Sequence, residues 1–411
     1  MERPLRFCMI TTFYPPFNFG GDGIFVHHLS NELAKRGHRV DVIHCIDAHR
    51  LLARGNSEKT YNDHPNVSVH GLKSRFGLLS PLATQQTGYP FFKSHEVRQI
   101  LKKGFDVIHY HNISLVGGPK ILEYGQGIKL YTMHEYWLIC PTHVLYKFNR
   151  AVCTKRNCFL CTLAHKRPPQ LWRHTGLLEA ASKHVDAFIA LSHFLKEKHR
   201  EMGFNIPIVH LPPFVSEQES TSHPSGYSIG ERPEKPYFLF VGRLEKIKGI
   251  HTLIPLFRRY EKARLLIAGA GSYEPRLREL AGRDANIEFL GYQPERQLQS
   301  LYQNAVALIQ PSVCCEVFGL VNLEAFRERT PVIVRNMGGM PELVEESGGG
   351  LVYMSDVDLI AAMDRLVTSP SLCREMGARA YDAYTRNWTA ETHVQRYLAL
   401  IHEVASSKGG G

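Results

Sequence analysis

Hydrophobic residues near the start of the chain follow two different periods. Residues 5–11 form an apolar run of strand length, and after a glycine-rich loop Phe25, Leu29 and Leu33 recur at helical spacing. A second apolar run follows at residues 39–46. This succession of strand, helix and strand is typical of a βαβ unit, and it predicts the opening of a doubly wound fold.

The same rhythm continues through the first half of the chain. Further strand-like apolar segments lie at residues 105–111, 128–132 and 185–191, with helix-forming stretches between several of them. Apolar strands that alternate with helices are expected of a parallel sheet covered on both faces. We therefore predict a first Rossmann-like domain over residues 1–213.

A polar stretch rich in Ser, Glu, Pro and Gly then predicts a linker at residues 214–236. The rhythm restarts after it, with strands predicted at residues 237–242, 263–269, 286–291, 306–311 and 331–336. A second doubly wound domain is predicted over residues 237–387, and a C-terminal helix at 388–411 is expected to pack back across the domains. Two such domains would face a central cleft at the carboxyl ends of their sheets, where open α/β folds bind ligands.

The composition is that of a globular protein. The chain has 411 residues, of which 44% are hydrophobic and 21% charged, so it can bury extensive cores. No run approaches the roughly 20 apolar residues that a bilayer span requires, which argues against an integral membrane protein. Nine cysteines are too few for a disulfide scaffold, so we expect a reducing compartment and a cytoplasmic protein.

The strongest chemical motif is the segment 311–326, PSVCCEVFGLVNLEAF. Glu316 lies at a strand-to-helix turn, Gly319 opens the helix, and Glu324 follows eight residues after Glu316. In a helix, eight steps of 100° leave about 80° between two side chains, so both carboxylates could contact one ligand. The helix start favours a phosphate, and carboxylates accept hydrogen bonds from hydroxyls, which together suit a sugar nucleotide. The alternative is two solvated helix glutamates.

With the segments 241–249 (VGRLEKIKG), 269–272 (GAGS) and 338–344 (GGMPELV), this motif resembles the family 4 glycosyltransferases of the GT-B fold. The resemblance covers nearly the whole chain. It implies transfer of a sugar from a nucleotide diphosphate donor with retention of anomeric configuration. Fixed cations and helix-terminal amides would stabilise the departing diphosphate, so no cofactor or metal is expected to be required for catalysis.

The resemblance also implies a role for each matching residue. Arg243 and Lys248 would bind the diphosphate, Glu316 the hydroxyls of the donor sugar, and Glu324 the ribose hydroxyls. The implied donor site comprises Gly21, Arg243, Lys248, Glu316, Phe318, Gly319, Leu320 and Glu324. The sequence departs from the family pattern at Arg329, where a small residue is common, and at Cys314 and Cys315 just before Glu316.

Candidates in the first domain follow predicted strands. Gly20, Gly21 and Asp22 come just before a helix, where backbone can approach an anion, although turn-forming glycines would look the same. His134 follows the strand at 128–132, and similar enzymes have a functional histidine after the corresponding strand, which makes His134 a catalytic candidate. A purely structural histidine is the alternative. The weaker candidates for acceptor contact are Asp22, His111 and Asn112.

Four cysteines lie close together in the sequence, at Cys140, Cys153, Cys158 and Cys161. Thiolates at this spacing could enclose a tetrahedral structural zinc ion. An iron–sulfur cluster, a set of redox-sensitive thiols and ordinary reduced cysteines are the alternatives.

The formal net charge of +10 is concentrated in residues 136–178, which contain seven Lys and Arg and no Asp or Glu. Five aromatic residues are interleaved with these charges: Tyr136, Trp137, Phe148, Phe159 and Trp172. We expect this segment to contact an anionic membrane surface or a lipid-linked diphosphate acceptor. A solvated basic loop is the alternative. Nucleic acid is a weaker one, because no recognised binding module accompanies the charge.

The sequence thus predicts a glycosyltransferase that moves a sugar from a UDP- or GDP-sugar to a glycan or lipid-linked acceptor. It would be cytoplasmic, or peripheral on the inner face of the membrane. One alternative is a sugar-nucleotide epimerase or phosphorylase on the same fold. The other is a zinc-containing nucleic-acid-binding or scaffold protein.

Overall fold

The structure is a computed structural model that describes residues 3–18, 20–52, 61–216 and 235–409. Most of the predicted linker therefore lies outside the described residues. The chain divides into two units. The first unit comprises Met1–Val144, Lys155–Pro213 and Ala390–Gly411, and the second unit comprises Leu145–Thr154 and Phe214–Thr389.

The described residues form fifteen β-strands. In chain order they are β1 Arg6–Ile10, β2 Arg39–Cys45, β3 Val67–Leu72, β4 Val107–Tyr110, β5 Ile128–Met133, β6 Tyr146–Lys147, β7 Ala151–Val152, β8 Ala187–Ala190, β9 Ile208–His210, β10 Tyr237–Val241, β11 Arg264–Ala268, β12 Ile287–Gly291, β13 Ala307–Gln310, β14 Val332–Arg335 and β15 Gly350–Tyr353.

The same residues form fifteen α-helices. These are α1 Gly21–Lys35, α2 Ile46–Leu52, α3 Leu79–Thr87, α4 Ser94–Leu101, α5 Cys158–Ala164, α6 Leu177–Ser182, α7 His193–Glu201, α8 Ile250–Phe257, α9 Glu274–Ala281, α10 Glu295–Asn304, α11 Leu320–Arg327, α12 Met340–Ser347, α13 Asp356–Thr368, α14 Pro370–Asn387 and α15 Ala390–Gly409. Among the described helices, none is both long enough and apolar enough to cross a bilayer.

The first unit is built on a seven-stranded parallel sheet with the order β3-β2-β1-β4-β5-β8-β9. Phe7 of β1 is level with Val40 of β2 on one side and with Val107 of β4 on the other. The direction in which the chain adds strands reverses between β1 and β4. In open α/β sheets the carboxyl ends of the strands at such a reversal form the ligand-binding edge.

The second unit repeats this plan with a six-stranded parallel sheet, in the order β12-β11-β10-β13-β14-β15. Leu239 of β10 is level with Leu266 of β11 and Leu308 of β13, so the reversal lies between β10 and β13. Apolar residues of the strands, such as the fully buried Phe238 and Phe240, pack against helices in one hydrophobic core. The loops after β10 and β13 therefore lie side by side.

The predicted strands all form, and the doubly wound prediction is confirmed for both sheets. Five further strands were missed: β3, β9 and β15 of these two sheets, and the short β6 and β7. In β3 only Leu72 is fully buried, and β9 is three residues long, so neither has the apolar run by which the other strands were found.

One part of the predicted first domain is placed differently. Residues 145–154 belong to the second unit, in which β6 and β7 form a small antiparallel hairpin. The Lys246 ammonium donates a hydrogen bond to the carbonyl oxygen of Asn149 at 3.2 Å. The local sequence carries no sign of this long-range contact.

The last helix, α15, belongs to the first unit. It packs against α1 and β5, and the Tyr397 hydroxyl is hydrogen-bonded to Nδ1 of His109 at 2.9 Å. The first unit therefore includes the end of the chain as well as its beginning.

That residues 136–178 contact an anionic surface stays a prediction, but three of the five aromatics on which it was based are not accessible. Tyr136, Trp137 and Trp172 are buried. The Arg173 guanidinium lies over the rings of Trp137 and Trp172 and donates to the carbonyl oxygen of Trp137 at 2.7 Å. These groups form a local core, so only Phe159 of the five aromatics is exposed.

Candidate active site

Lys248 is positioned by a tight turn that follows β10. A 3-10 turn over Lys246–Lys248 ends at Gly249, which has a φ of +76°. A Cβ atom at Gly249 would lie 1.9 Å from the carbonyl oxygen of Pro311, so only glycine fits there. The turn is thus held against the chain that leaves β13.

Glu316 receives two hydrogen bonds on one carboxylate oxygen. Nζ of Lys248 and Oγ of Ser312 both donate to Oε1 of Glu316, each at 2.6 Å. The Lys248 and Glu316 side chains are only 21% and 14% exposed, so this ion pair is largely shielded from water. Because an ammonium group has three N–H donors, Lys248 can bind a second anion while it stays bonded to Glu316.

The charge state of Glu316 follows from its neighbours. Burial alone would raise the pKa of this carboxyl, but Lys248, the Ser312 hydroxyl and the charge of Arg243 together hold the pKa below its usual value. Glu316 is therefore ionised at neutral pH. Arg243 itself is exposed, which leaves its guanidinium accessible to a ligand.

Two glycines after β14 support the backbone of Glu316. The Gly339 N–H donates to the carbonyl oxygen of Glu316 at 2.8 Å. Gly338 has a φ of +70°, and a Cβ atom there would lie 2.2 Å from the same oxygen. The GGMPELV motif thus fixes the position of Glu316 from behind.

Glu324 has a different partner from Glu316. The Tyr302 hydroxyl donates to Oε2 of Glu324 at 2.8 Å, and burial raises the pKa of the Glu324 carboxyl. Gly319, with a φ of +87°, precedes the first residue of α11, Leu320. That the two carboxylates share one ligand stays a prediction. Phe318 is buried, and its ring lies 6.4 Å from that of Trp388.

The GAGS segment packs on the loop that carries Arg243. A Cβ atom at Gly269 would lie 1.9 Å from the carbonyl oxygen of Gly242, and one at Gly271 would lie 2.4 Å from that of Leu244. These glycines let the loops after β10 and β11 touch. The contact fixes the backbone on both sides of Arg243.

In the first unit, Asp22 and Asn112 come together across the strand reversal. Gly20 is the N-cap of α1, and Gly21 is its first residue. Nδ2 of Asn112 donates to Oδ2 of Asp22 at 3.1 Å. The glycine loop after β1 is thereby joined to the end of β4, as their order in the sheet requires.

His111 and His134 form a second pair in this unit. Nδ1 of His111 and Nε2 of His134 are 2.9 Å apart. Burial, with a contribution from His393, lowers the pKa of His134 to about 3. Both imidazoles are neutral at pH 7, since burial also lowers the pKa of His111. Nδ1 of His134 has no partner among the described residues.

Comparison with known families covers both units. The family described as Glycosyltransferase Family 4 matches residues 19–219, and that described as Glycosyl transferases group 1 matches residues 227–383. The chain belongs to the family 4 glycosyltransferases.

Individual relatives of this glycosyltransferase agree. An uncharacterised glycosyltransferase of Methanocaldococcus jannaschii is 27% identical over 400 residues, which cover 89% of each chain. The sucrose-phosphate synthase of Thermosynechococcus elongatus matches with a TM-score of 0.73 at 18% identity, over 98% of this chain and 100% of its own. Anabaena HepE, solved with UDP and glucose, matches with a TM-score of 0.67 at 15% identity, over 97% and 100%. The GT-B fold is thus confirmed.

Further groups near the predicted residues of this glycosyltransferase were missed. Ser312 lies two residues after the last residue of β13, and its position after a buried strand is the only signal in the sequence. His109 lies between the hydroxyls of Thr132 and Tyr397, at 2.8 and 2.9 Å, and its ring centroid is 4.0 Å from that of His111. His109 lies on β4 and His111 directly follows its last residue, so the two side chains, two positions apart, point to the same face.

Arg329, the departure from the family pattern, has a φ of +58°. This is a left-handed conformation that glycine adopts without strain, which explains why a small residue is common there. In this glycosyltransferase the Arg329 guanidinium lies 3.8 Å from the centroid of the Tyr381 ring. The stacking contact offsets part of the backbone strain.

The four cysteines of the predicted zinc site do not form a recognisable metal site. Cys153 belongs to the second unit, whereas Cys140, Cys158 and Cys161 belong to the first. Over the described parts of the chain, no group of three or more His, Cys, Asp or Glu side chains is placed to hold a metal ion. Burial raises the pKa of the Cys158 thiol, which favours the protonated form.

Structural zinc in this glycosyltransferase therefore stays a prediction from the sequence alone. Metal analysis of the purified protein tests it directly. About one zinc ion per chain, lost together with thermal stability on chelation, is the result that the hypothesis requires. Metal-free protein with unchanged stability would contradict it.

Proposed function

We propose that this enzyme transfers a sugar from a nucleoside diphosphate sugar to a glycan or lipid-linked acceptor, with retention of anomeric configuration. The observation that carries the proposal is the Lys248, Ser312 and Glu316 cluster at the strand reversal of the second unit, with Arg243 beside it. This edge of a doubly wound sheet is the usual position of a nucleotide ligand.

The cations account for the departure of the diphosphate. As the bond between the sugar and the phosphate breaks, negative charge collects on the leaving group. Lys248 is held in place by Glu316 and retains free N–H donors, so it can stabilise this charge without first reorganising. Arg243 would add a second, fork-shaped contact to the phosphates. Metal-independent catalysis is proposed on this basis.

The two glutamates would bind the rest of the donor. Glu316 has Oε2 left to accept hydrogen bonds from sugar hydroxyls, while Oε1 is bonded to Lys248 and Ser312. Glu324, fixed by Tyr302, would accept from the ribose hydroxyls. These assignments agree with the resemblance to the family and with the separate partners of the two carboxylates.

The pairing of Glu316 also disfavours a mechanism of the glycosidase type. A retaining glycosidase uses one free carboxylate as the nucleophile and a second carboxyl as the acid. Glu316 is bonded to Lys248 instead, and the neutral His134 is a hydrogen-bonding group. We therefore propose that the leaving phosphate takes the proton of the acceptor during attack on the same face.

We also propose a donor base and a place of action for the enzyme. HepE binds UDP and glucose, which favours a UDP-sugar here over a GDP-sugar. Peripheral association with a membrane is proposed because a lipid-linked acceptor would be presented at its surface.

A product assay tests the function. The protein is incubated with UDP- and GDP-sugars and candidate acceptors, and release of nucleoside diphosphate is followed together with the anomeric configuration of the product by NMR. Retained configuration with acceptor-dependent release supports the proposal. Epimerisation without an acceptor, or consumption of inorganic phosphate, would favour the epimerase or phosphorylase alternative.

A variant of His111 tests the role of the histidine pair. His111→Phe removes the hydrogen bond that orients His134, so we expect kcat to fall roughly 10- to 100-fold with little change in the donor KM. His111→Gln keeps a hydrogen-bonding side chain and should recover most of the activity. Equal losses in both variants would mean that His111 has only a packing role.

A further inference from the structure

The first unit carries an exposed apolar surface in the region from β3 to α4. We call this surface the 76–92 face. It comprises six large exposed side chains: Phe76, Leu78, Leu79, Tyr89, Phe91 and Phe92. Leu79 and Phe91 are the most exposed, at 62% and 54%. Single exposed apolar residues are ordinary, but a contiguous group on a protein surface indicates an interaction site.

Ring contacts show that Phe76, Phe91 and Phe92 form one cluster. The ring centroids of Phe76 and Phe92 lie 4.2 Å apart in a stacked arrangement, and those of Phe91 and Phe92 lie 4.9 Å apart. Phe91 has a φ of +44°, which is costly for an aromatic residue. The backbone thus bears strain at the residue whose ring is most exposed in the cluster.

Helix α3 exposes its first residue, Leu79, while Ser80, Pro81 and Thr84 are buried. Its inward face carries Ser80 and Thr84, and the buried ammonium of Lys93 donates to their hydroxyls at 2.8 and 3.3 Å. Leu79 points outward instead. Leu79 therefore adds to the exposed apolar surface of this region.

The same region lacks negative charge. No Asp or Glu occurs between residues 64 and 95, while Lys73 and Arg75 are exposed at the start of the face. Neither cation forms an ion pair with a described residue, and the Arg75 guanidinium lies 5.0 Å from the Phe76 ring centroid. Exposed cations beside apolar rings match the boundary between anionic headgroups and acyl chains.

A second acid-free segment adjoins this one. Nε1 of Trp172 donates to the carbonyl oxygen of Gln85 in α3 at 2.8 Å, and Leu171 beside it is 61% exposed. Trp172 belongs to the basic stretch 136–178, so both acid-free parts of the first unit meet at α3. The basic character therefore extends beyond the 76–92 face.

We propose that the 76–92 face docks on an anionic lipid surface, with Leu79 and Phe91 inserted among the acyl chains and Lys73 and Arg75 at the headgroups. This deepens the proposed function, since it names the surface by which an enzyme with a lipid-linked acceptor would reach it. A second copy of the chain is a poorer occupant. A two-fold contact would bring the same cations together with no carboxylate of this segment to pair with them.

Vesicle sedimentation tests this proposal without any turnover. The full-length protein is mixed with vesicles of equal parts phosphatidylglycerol and phosphatidylcholine, or of phosphatidylcholine alone. Wild type should bind the mixed vesicles, and Leu79→Ser with Phe91→Ser should lower the partition coefficient about tenfold or more. Lys73→Ser with Arg75→Ser should remove the preference for the anionic vesicles.

The matched control replaces two apolar residues of the second unit that are even more exposed than Leu79 and Phe91. Met354→Ser with Val357→Ser, at positions 76% and 75% exposed, should leave binding unchanged. Hydrogen exchange on the unaltered protein gives an independent readout, since vesicles should protect peptides from residues 73–92.

Several results would overturn the proposal. The first is wild-type protein that binds neither vesicle type. The second is equal binding by wild type and by the Leu79→Ser and Phe91→Ser double variant. The third is a wild-type dimer that becomes monomeric in this double variant, together with no binding of vesicles. Glycosyl transfer to a water-soluble acceptor is measured separately. Vesicle binding without transfer would leave the docking face standing while the proposed function fails.

Discussion

Lys248→Met is expected to lower kcat/KM for glycosyl transfer by about two to three orders of magnitude. Loss of one group that stabilises charge in the transition state typically has an effect of this size. Here the loss is compounded, because the same ammonium donates to Glu316 at 2.6 Å and holds its carboxyl ionised. Without it the pKa of Glu316 rises towards the value that burial alone would give.

The chain offers a close control for this variant. Lys246 lies on the same 3-10 turn, and its ammonium donates to the carbonyl oxygen of Asn149. Lys246→Met removes the same charge from the same turn, so its kcat/KM should stay within a few-fold of wild type. The thermal midpoint of each variant separates loss of catalysis from loss of folded protein.

A double variant distinguishes a cooperating pair from two independent residues. If Lys248 and Glu316 act as one unit, Lys248→Met with Glu316→Gln should cost little more than either change alone. Multiplicative losses would mean that the two residues make separate contacts. Activity of Lys248→Met close to that of wild type would remove the basis of the proposed function.

The sequence identified Lys248 and Glu316 singly, but it could not predict their contact. The two residues lie 68 positions apart, and they meet because β10 and β13 are neighbours in the sheet. Strand order is a non-local property that no periodicity along one chain specifies. The motif glycines were predictable as close-approach sites, whereas their partners, such as Pro311 opposite Gly249, were not.

The interpretation of residues 136–178 from their charges was partly wrong, because a charge pattern does not show which side chains pack together. The basic charges and interleaved aromatics of residues 136–178 predicted one contact surface for an anionic partner. Most of the cations are exposed, yet Trp137 and Trp172 are buried around Arg173. An arginine can stack on aromatic rings within a local core as well as face water. The apolar surface of the first unit lies instead around α3, where short polar residues on the inner face hide the helical period.

We also expect acid to lower the stability of the first unit strongly. Five histidines of the first unit are at most 4% exposed: His44, His109, His111, His199 and His393. Burial lowers the pKa of His44, His199 and His393 to about 4, and lowers those of His109 and His111 as well. In the unfolded chain each would titrate near its ordinary value of about 6.5.

The sign of the effect follows from proton uptake. Between about pH 6.5 and pH 4 the unfolded chain binds protons that the folded unit excludes, so stability is lost as the pH falls through this window. At about pH 5.5 each such histidine lowers the free energy of unfolding by roughly 1 kcal/mol, so the five together lower it by several kcal/mol. This is comparable to the whole stability of a typical domain. The first unit should therefore unfold near pH 5.5 in little denaturant.

Tryptophan fluorescence can follow each unit separately. Trp137 and Trp172 report on the first unit and Trp388 on the second, so Trp388→Phe leaves only first-unit signal. The urea midpoint of the first unit in this variant should fall steeply between about pH 7.5 and 5.5. In a variant with Trp137→Phe and Trp172→Phe, only Trp388 gives tryptophan fluorescence. The urea midpoint that it reports should shift much less with pH, because His251 is the only described histidine of the second unit.

Single substitutions test the cause. His199→Gln removes one buried imidazole whose Nδ1 is bonded to the carbonyl oxygen of Leu195 at 2.8 Å. The free energy of unfolding of this variant should fall by roughly 1 kcal/mol less than that of wild type between about pH 7.5 and 5.5. His174→Gln, at an exposed position, should leave that dependence unchanged. A first-unit urea midpoint that does not vary with pH would contradict the argument, since neutral buried imidazoles must favour the unfolded chain in acid.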